Sequence, residues 1–257
     1  MRFRLLFVAF IITLLWLLLP IALPLSTAFS ENPIISFPPK GFTLKWFYDV
    51  FNISDFVNGF KLSLTVAFSA TSLTIIATLP LSYKMARSSN RYREIWESLF
   101  ELPIVIPQMV LGFALFIFFV RYLQISSVLA LIVGHMVVIS PYALSNVYAG
   151  ISWMNWEMED AAVSLGASRI RAFFEVVLPN ARNALISAFL SCFLISFNAV
   201  EISLFLSIAG TSTLPVAMLN FLAMRWDPAI SALSAMLVLF TLILVLLSEY
   251  IFGGRGK

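Results

Sequence analysis

Six predominantly apolar runs, each about the twenty residues a helix needs to cross a bilayer, recur along the chain: Leu5 to Phe29, Gly59 to Tyr83, Leu99 to Val120, Ser126 to Gly150, Asn183 to Ile208 and Ala229 to Phe252. No single water-soluble core accommodates them. Of 257 residues, 61% are hydrophobic and 11% charged, against roughly 45–50% and roughly 25% in a soluble domain. The 25 Phe, 9 Met and 6 Trp would leave large apolar patches in water. The expectation is an all-α, polytopic membrane protein of six transmembrane helices, with lipid as its main solvent.

Orientation follows from the cations, because cytoplasmic loops carry the excess of Lys and Arg. With the N-terminus inside, eleven fall on inner segments: Arg2, Arg4, Lys84, Arg87, Arg91, Arg93, Arg169, Arg171, Arg182, Arg255 and Lys257. Five fall outside: Lys40, Lys45, Lys61, Arg121 and Arg225. Both termini are therefore expected in the cytoplasm, with the chain multi-pass. Trp96, Trp153 and Trp156 would mark the inner interface, and Trp46 and Trp226 the outer one. The net charge of +3 sits in short links between apolar runs, a topology signal rather than a nucleic-acid face. The first run resembles a signal peptide in its basic start and small residues near Ser26 to Ala28, but it exceeds the length of a signal h-region, so a retained span is expected.

The links differ in kind. Residues 30–58 read as a long outer loop with Pro33, Pro38 and Pro39, then an amphipathic surface helix across Leu44 to Phe47. Residues 84–98 read as a short cytoplasmic link, and residues 209–228, with Gly210, Pro215 and Pro228, as a second outer excursion. No internal repeat interrupts a single domain over residues 1–257. One cysteine, Cys192, forbids an intrachain disulfide or a cysteine zinc cluster and reads as a small buried residue.

The inner segment over about 155–182 carries the sharpest pattern. Glu157, Glu159 and Asp160 crowd the start of a first helix, where the dipole favours acids. Met158, Ala161, Ala162 and Leu165 share a face, and Gly166 supplies a stop. Ser168 can cap a second helix with Ile170, Phe173, Phe174 and Val177 at helical spacing, which Pro179 is expected to end. Asp160-Ala161-Ala162, then three residues and Gly166, then Val176 and Leu178-Pro179 resemble the EAA loop of binding-protein-dependent ABC importer permeases. Every spacing matches, and Asp160 stands where that family has Glu. Gly41 to Phe47, Leu102 to Pro107, Gly134-His135, Thr213 to Val216 and Asp227 to Ser234 extend the likeness to the second permease of spermidine/putrescine importers.

That resemblance implies a type I ABC importer permease fold and a subunit forming half of a pathway for a small, polyamine-like or related organic solute. It also implies a bacterial inner membrane and three kinds of partner: two cytoplasmic ATPase subunits, a second homologous permease in a heterodimer, and an extracytoplasmic solute-binding protein. Asp160, Ala161, Ala162, Gly166, Leu178 and Pro179 would form the ATPase joint. The acid would orient the helix or pair with an ATPase cation, and the alanines would allow close packing. No segment has the spacing of a phosphate-binding P-loop, the Gly253-Gly-Arg-Gly-Lys257 tail included, so ATP hydrolysis belongs to a partner and the chain is not an enzyme.

Ionisable groups inside a span are costly and functional by default. Glu201, in Ser196 to Ser203, lines the pathway or makes an interhelical contact; Asn198 and Ala199 stand where close polyamine permeases show paired aspartates. Gln108 and Glu101 line the pathway or lie near the inner interface. His135 reads as a structural hydrogen-bonding histidine or a transport group, and no second ligand makes it a metal site; no cofactor is implied. Pro103, Pro107 and Pro141 would kink their spans. Arg225 and Asp227 either meet the binding protein or form a solvated pair. Two other classes compete. A stand-alone secondary transporter or channel would use Glu201 and His135 for coupling ions, against which stands the lack of a recognisable broken-helix pair. An intramembrane enzyme would need a nucleophile–base pair that the spans do not offer.

Overall fold

The computed structural model describes residues 2–88, 90–208 and 210–252. The Gly253 to Lys257 tail, with Arg255 and Lys257, lies outside the described residues, as do the side chains of Arg2, Arg4 and Arg91. Among the described residues the chain is helical, in the order α1 (Arg2–Thr27), α2 (Lys45–Asn52), α3 (Ser54–Arg87), α4 (Asn90–Val105), α5 (Gln108–Phe116), α6 (Ser127–Ser152), α7 (Glu157–Ser164), α8 (Arg169–Ala172), α9 (Leu178–Phe197), α10 (Val200–Leu206), α11 (Leu214–Met224) and α12 (Ala229–Phe252).

The centre is the packing of α3, α6 and α9 on one another. Apolar surface alone does not drive helices together in lipid, so close approach through small residues has to do so. The buried face of α3 supplies them: Gly59, Ser63, Ala67, Ala70, Thr74, Thr78 and Ser82. Thr74 Oγ1 donates to the Ala70 carbonyl (2.7 Å) and Thr78 Oγ1 to that of Thr74 (2.9 Å), so the hydroxyls are satisfied within their own helix. On α6, Gly150 lies so close to Ala184 of α9 that no side chain fits there.

Around this centre, α12 packs on α1, α2 and α9. The apolar side chains of α1 from Leu6 to Leu23 are exposed along the helix, and at its end Thr27 Oγ1 donates to Ser231 Oγ of α12 (3.0 Å). The expected surface helix is α2, but Trp46 does not face outward from it. It is buried, its Nε1 donating 2.7 Å to the Ser30 carbonyl, because the loop before α2 folds back over it. Trp226, Trp153 and Trp96 are exposed.

Four boundaries differ from the sequence expectation. The third run is not one span: α4 starts at Asn90, inside the expected 84–98 link, and the axis turns by 91° between residues 93–105 and 108–122. Pro107 is the cause, since it takes an extended conformation (φ −54°, ψ 129°) and pushes its predecessor out of the helix. The fifth run breaks too, at Asn198 and Ala199, the latter extended at φ −72°, ψ 98°. Two broken segments are therefore present where none was expected. Residues 209–228 are not merely a loop: Leu214 to Met224 form α11, whose buried Leu214 donates its N–H to Ser63 Oγ of α3 (2.8 Å) beside Gly59.

The fourth difference is Pro179. It does not end the second loop helix; α8, a wide π turn over Phe173–Val177 and α9 run on as one rod. A proline lacks an N–H and crowds the carbonyl four residues back, here Glu175. The π turn sits at that point and opens the spacing, so the helix passes through.

Candidate functional site

Residues 153–177 form a shelf at the Arg87 end of α3. α7 begins with Glu157, Glu159 and Asp160 in its first turn. It stops at Gly166, whose φ of +98° is a conformation L side chains rarely adopt. The Gly166 N–H donates to the Val163 carbonyl (3.0 Å) and that of Ala167 to Ala162 (3.1 Å), closing the helix end. Ser168 Oγ accepts from the Arg171 N–H (3.2 Å) and opens the next helix.

The apolar face expected of α7 does not turn inward. Met158, Leu165, Ile170 and Phe174 are exposed, Leu165 by 90%, and Trp153 beside them by 91%. Ala161 and Gly166 are exposed and Ala162 half-buried. The buried residue of α7 is Glu159, at 0%. Tyr83 Oη donates a short hydrogen bond to Glu159 Oε1, and Arg87 Nη2 lies 3.3 Å from Oε2. The same guanidinium reaches Asp160 Oδ1 at 2.5 Å and Oδ2 at 3.3 Å and lies over the Trp156 ring at 5.1 Å. Tyr83 in turn meets Phe173 edge-on at 5.1 Å. Asp160 thus pairs with Arg87 of its own chain. Arg87's hydrogen bond, aided by its charge and that of Arg169, holds the Asp160 carboxyl below the usual carboxylate range.

The second region is the pair of breaks. The half-helices α5 and α10 that follow them pack together. A Cβ on Gly112 of α5 would meet Phe205 at 2.8 Å and the Glu201 carbonyl at 3.2 Å, so glycine sets their separation. His135 of α6 is 2% exposed and spans the α9–α10 break: Nδ1 is 2.8 Å from Ser196 Oγ and Nε2 3.0 Å from Ser203 Oγ. His135 is thus enclosed between the two helix ends that meet at the break. Asn198 is exposed and its Nδ2 donates to the Leu194 carbonyl (2.8 Å), capping the end of α9. Glu201 is half-buried in the first turn of α10, where the helix dipole favours an acid. Gln108 is exposed at the start of α5, on the far side of the 91° turn.

Two polar clefts flank these breaks. One, of about 590 Å³, opens at the Ser54 end among Asp55, Asn58, Ser207, Thr211, Ser212 and Asn220. The other, of about 230 Å³, lies between α4 and α6 and holds Glu97, Glu101, Ser145 and Tyr148. Asp227 is not a free partner of Arg225: its Oδ1 accepts from the Ala229 N–H (2.8 Å) and starts α12. Cys192 is buried. Among the described residues no group of three or more His, Cys, Asp or Glu could hold a metal ion.

Sequence reasoning missed Glu159, Tyr83 and Arg87 as one cluster. Tyr83 and Arg87 stand one turn apart at the end of α3, and the paired spacing is visible; their distance in sequence from Glu159 hid the connection.

Broken spans around a polar seam suit a stand-alone transporter as well as a driven permease; the exposed, acid-started helix held outside the bundle is what favours a permease that a separate subunit drives. The comparisons agree. Residues 75–253 match the family described as binding-protein-dependent transport system inner membrane component, and the chain belongs to it. It is 25% identical over 236 residues to the spermidine/putrescine transport system permease PotC of Haemophilus influenzae, covering 92% of this chain and 91% of that one. It is 27% identical over 254 residues to a protein of Salmonella paratyphi A named as a 2-aminoethylphosphonate transport system permease, PhnV (97% and 94%). Among solved structures, a bacterial ABC transporter importing the acidic polysaccharide alginate superposes with a TM-score of 0.74 at 17% identity, over 100% of this chain and 97% of that chain. The fold is that of a type I ABC importer permease, and the chain is a multi-pass inner-membrane transport protein.

Proposed function

We propose that the chain is one of two homologous permeases in an importer driven by two cytoplasmic ATPase subunits and fed by a solute-binding protein outside. Its whole length forms one transmembrane domain, with both termini in the cytoplasm, as the eleven-to-five cation count supports. The observation that carries the reading is α7: an exposed helix bearing the Asp160-Ala161-Ala162 pattern, closed by a left-handed Gly166 and followed by Leu178-Pro179. Its exposed Met158, Leu165 and Ile170 offer an ATPase groove an apolar contact, and Ala161 and Ala162 let backbone approach.

The carried solute is a small aliphatic amine. Putrescine, spermidine and 2-aminoethylphosphonate, named in the relatives, share a primary ammonium on a short chain. Glu201, Asn198 and Gln108 are the pathway candidates, Glu201 supplying the charge that attracts an ammonium. The absence of a second acid at 198 or 199 suits a solute carrying one ammonium at least as well as a polycation.

The test is reconstitution of the chain with its operon partners in proteoliposomes, and uptake of labelled putrescine, spermidine and 2-aminoethylphosphonate. ATP-dependent uptake of one of them that requires the binding protein is the expected result. Uptake that proceeds without the ATPase and follows an ion gradient would overturn the reading in favour of a secondary transporter.

A further inference from the structure

We infer that Tyr83 and Arg87 of α3 are positioning residues which, through Glu159, join the ATPase-facing helix α7 to α3 so that the two move as one lever on the outer polar cleft. The inference rests on the proposed docking of an ATPase at α7 and goes beyond it in saying where the motion is delivered.

Three observations carry it. First, α7 makes its backbone contacts with α8 and the π turn, while α3 is reached through side chains. Second, those side chains are unequal. The Arg87–Asp160 pair is exposed on the acid's side, and such a pair parts at little cost in water. Glu159 is enclosed, and drawing α7 away from α3 would leave a buried carboxylate without its guanidinium and its tyrosine hydroxyl, which is costly. The joint therefore resists opening at this point. The Trp156 ring under Arg87 and Phe173 against Tyr83 close the cluster on its apolar sides.

Third, α3 is the longest helix of the molecule and stays one helix from Ser54 to Arg87. Its 34 residues reach about 50 Å at 1.5 Å per residue. The end bound to α7 carries Tyr83 and Arg87; the opposite end places Asp55, Asn58 and Gly59 in the 590 Å³ cleft facing Ser207, Ser212 and Asn220. A tilt imposed on α7 by ATPase closure thus reaches the cleft along one continuous helix, with Pro80 inside it, and Leu214 of α11, bonded to Ser63 Oγ and packed on Gly59, moves with it.

The test uses the complete importer in lipid nanodiscs. Spin labels on Asn58→Cys and Ser207→Cys, in a Cys192→Ala background, report the width of the cleft with and without trapped nucleotide. In the parent complex the distance distribution is expected to shift on trapping. In the double variant Arg87→Gln/Glu159→Gln, which removes both charges together, the shift is expected to disappear while the ATPase stays bound, and Arg87→Lys with Glu159 intact should restore part of it. Tyr83→Phe, which deletes only a hydroxyl, should lower the ratio of binding-protein-stimulated to unstimulated ATPase activity by about threefold. It decides the matter should the double variant fail to assemble. A parent-like shift in the double variant, or an unchanged ratio in Tyr83→Phe, overturns the lever. A parent chain that binds no ATPase overturns instead the function proposed above, so the two failures are distinct.

Discussion

The shelf at the Arg87 end and the pinned break at Asn198 solve opposite problems. On the shelf, charged groups are gathered beside water: Arg87 serves two acids, one enclosed and one exposed, while large apolar side chains such as Leu165 point outward. At the break, His135 bridges two serine hydroxyls in the interior, with apolar residues packed around α10 and Glu201 half-buried in its first turn. A surface made to meet another protein keeps its apolar residues free and uses charge to hold its shape. A discontinuity inside lipid has to satisfy every freed polar group at once, and neutral hydrogen bonds do so without the cost of a buried charge.

The sharpest way to break this contrast is at the shelf's turn. Gly166→Val puts a β-branched side chain at φ +98°, where a Cβ meets nothing within 4 Å, so backbone strain alone is being tested. The strain of about 1–3 kcal/mol should displace α7. Membrane insertion should be normal and binding-protein-dependent uptake lost, read in proteoliposomes. Import at the parent rate would remove α7 from the coupling role.

The break is tested by His135→Ala, which leaves two serine hydroxyls facing a cavity and should cost about 2–4 kcal/mol of stability. Thermal unfolding of the purified complex measures it, and His135→Gln should recover part of the loss. Uptake per folded molecule should change less than stability. A variant as stable as the parent but unable to transport would instead put His135 in the pathway.

A smaller effect is expected from Glu201→Gln, which keeps shape and removes charge. If the acid faces the solute, uptake of an ammonium solute should fall severalfold with complex yield unchanged. If it makes an interhelical contact, yield should fall first.

The smallest effect belongs to Asp160. Its carboxyl titrates below the ordinary value of 3.8, so the charged, paired form is present throughout the neutral range. The contribution of the Arg87–Asp160 pair is complete above the ordinary carboxylate range and is lost only as pH falls through the lowered value. The difference in stimulated ATPase activity between parent and Asp160→Asn should therefore be small and equal at pH 7 and pH 5. A difference that vanishes by pH 5 would mean that the pair is not formed in the working complex.

Local chemistry and long-range chemistry were unequally legible. The α7 stop at Gly166 and the Ser168 cap involve groups within a few residues, and helix-end rules reached both. Pro107 signalled a kink but not a 91° turn, because the angle depends on how α4 and α5 pack against α6 and α10. Asn198 is a weak stop signal within an apolar run: its amide caps the Leu194 carbonyl, and the break is held as well by His135, more than sixty residues earlier in the chain, reaching Ser196 and Ser203.

The sequence by itself determined that the chain is a membrane protein built from apolar runs of crossing length, and that one inner loop carries the spacing of the EAA pattern. Each of these depends on composition or on residue order along a stretch of chain, quantities that do not change with packing. Which acid on α7 is enclosed was decided only by tertiary structure. Glu157, Glu159 and Asp160 have the same charge and sit in the same first turn. Glu159 differs because helical rotation points it at Tyr83 and Arg87, and those two are brought there by the packing of α3, seventy residues away in sequence.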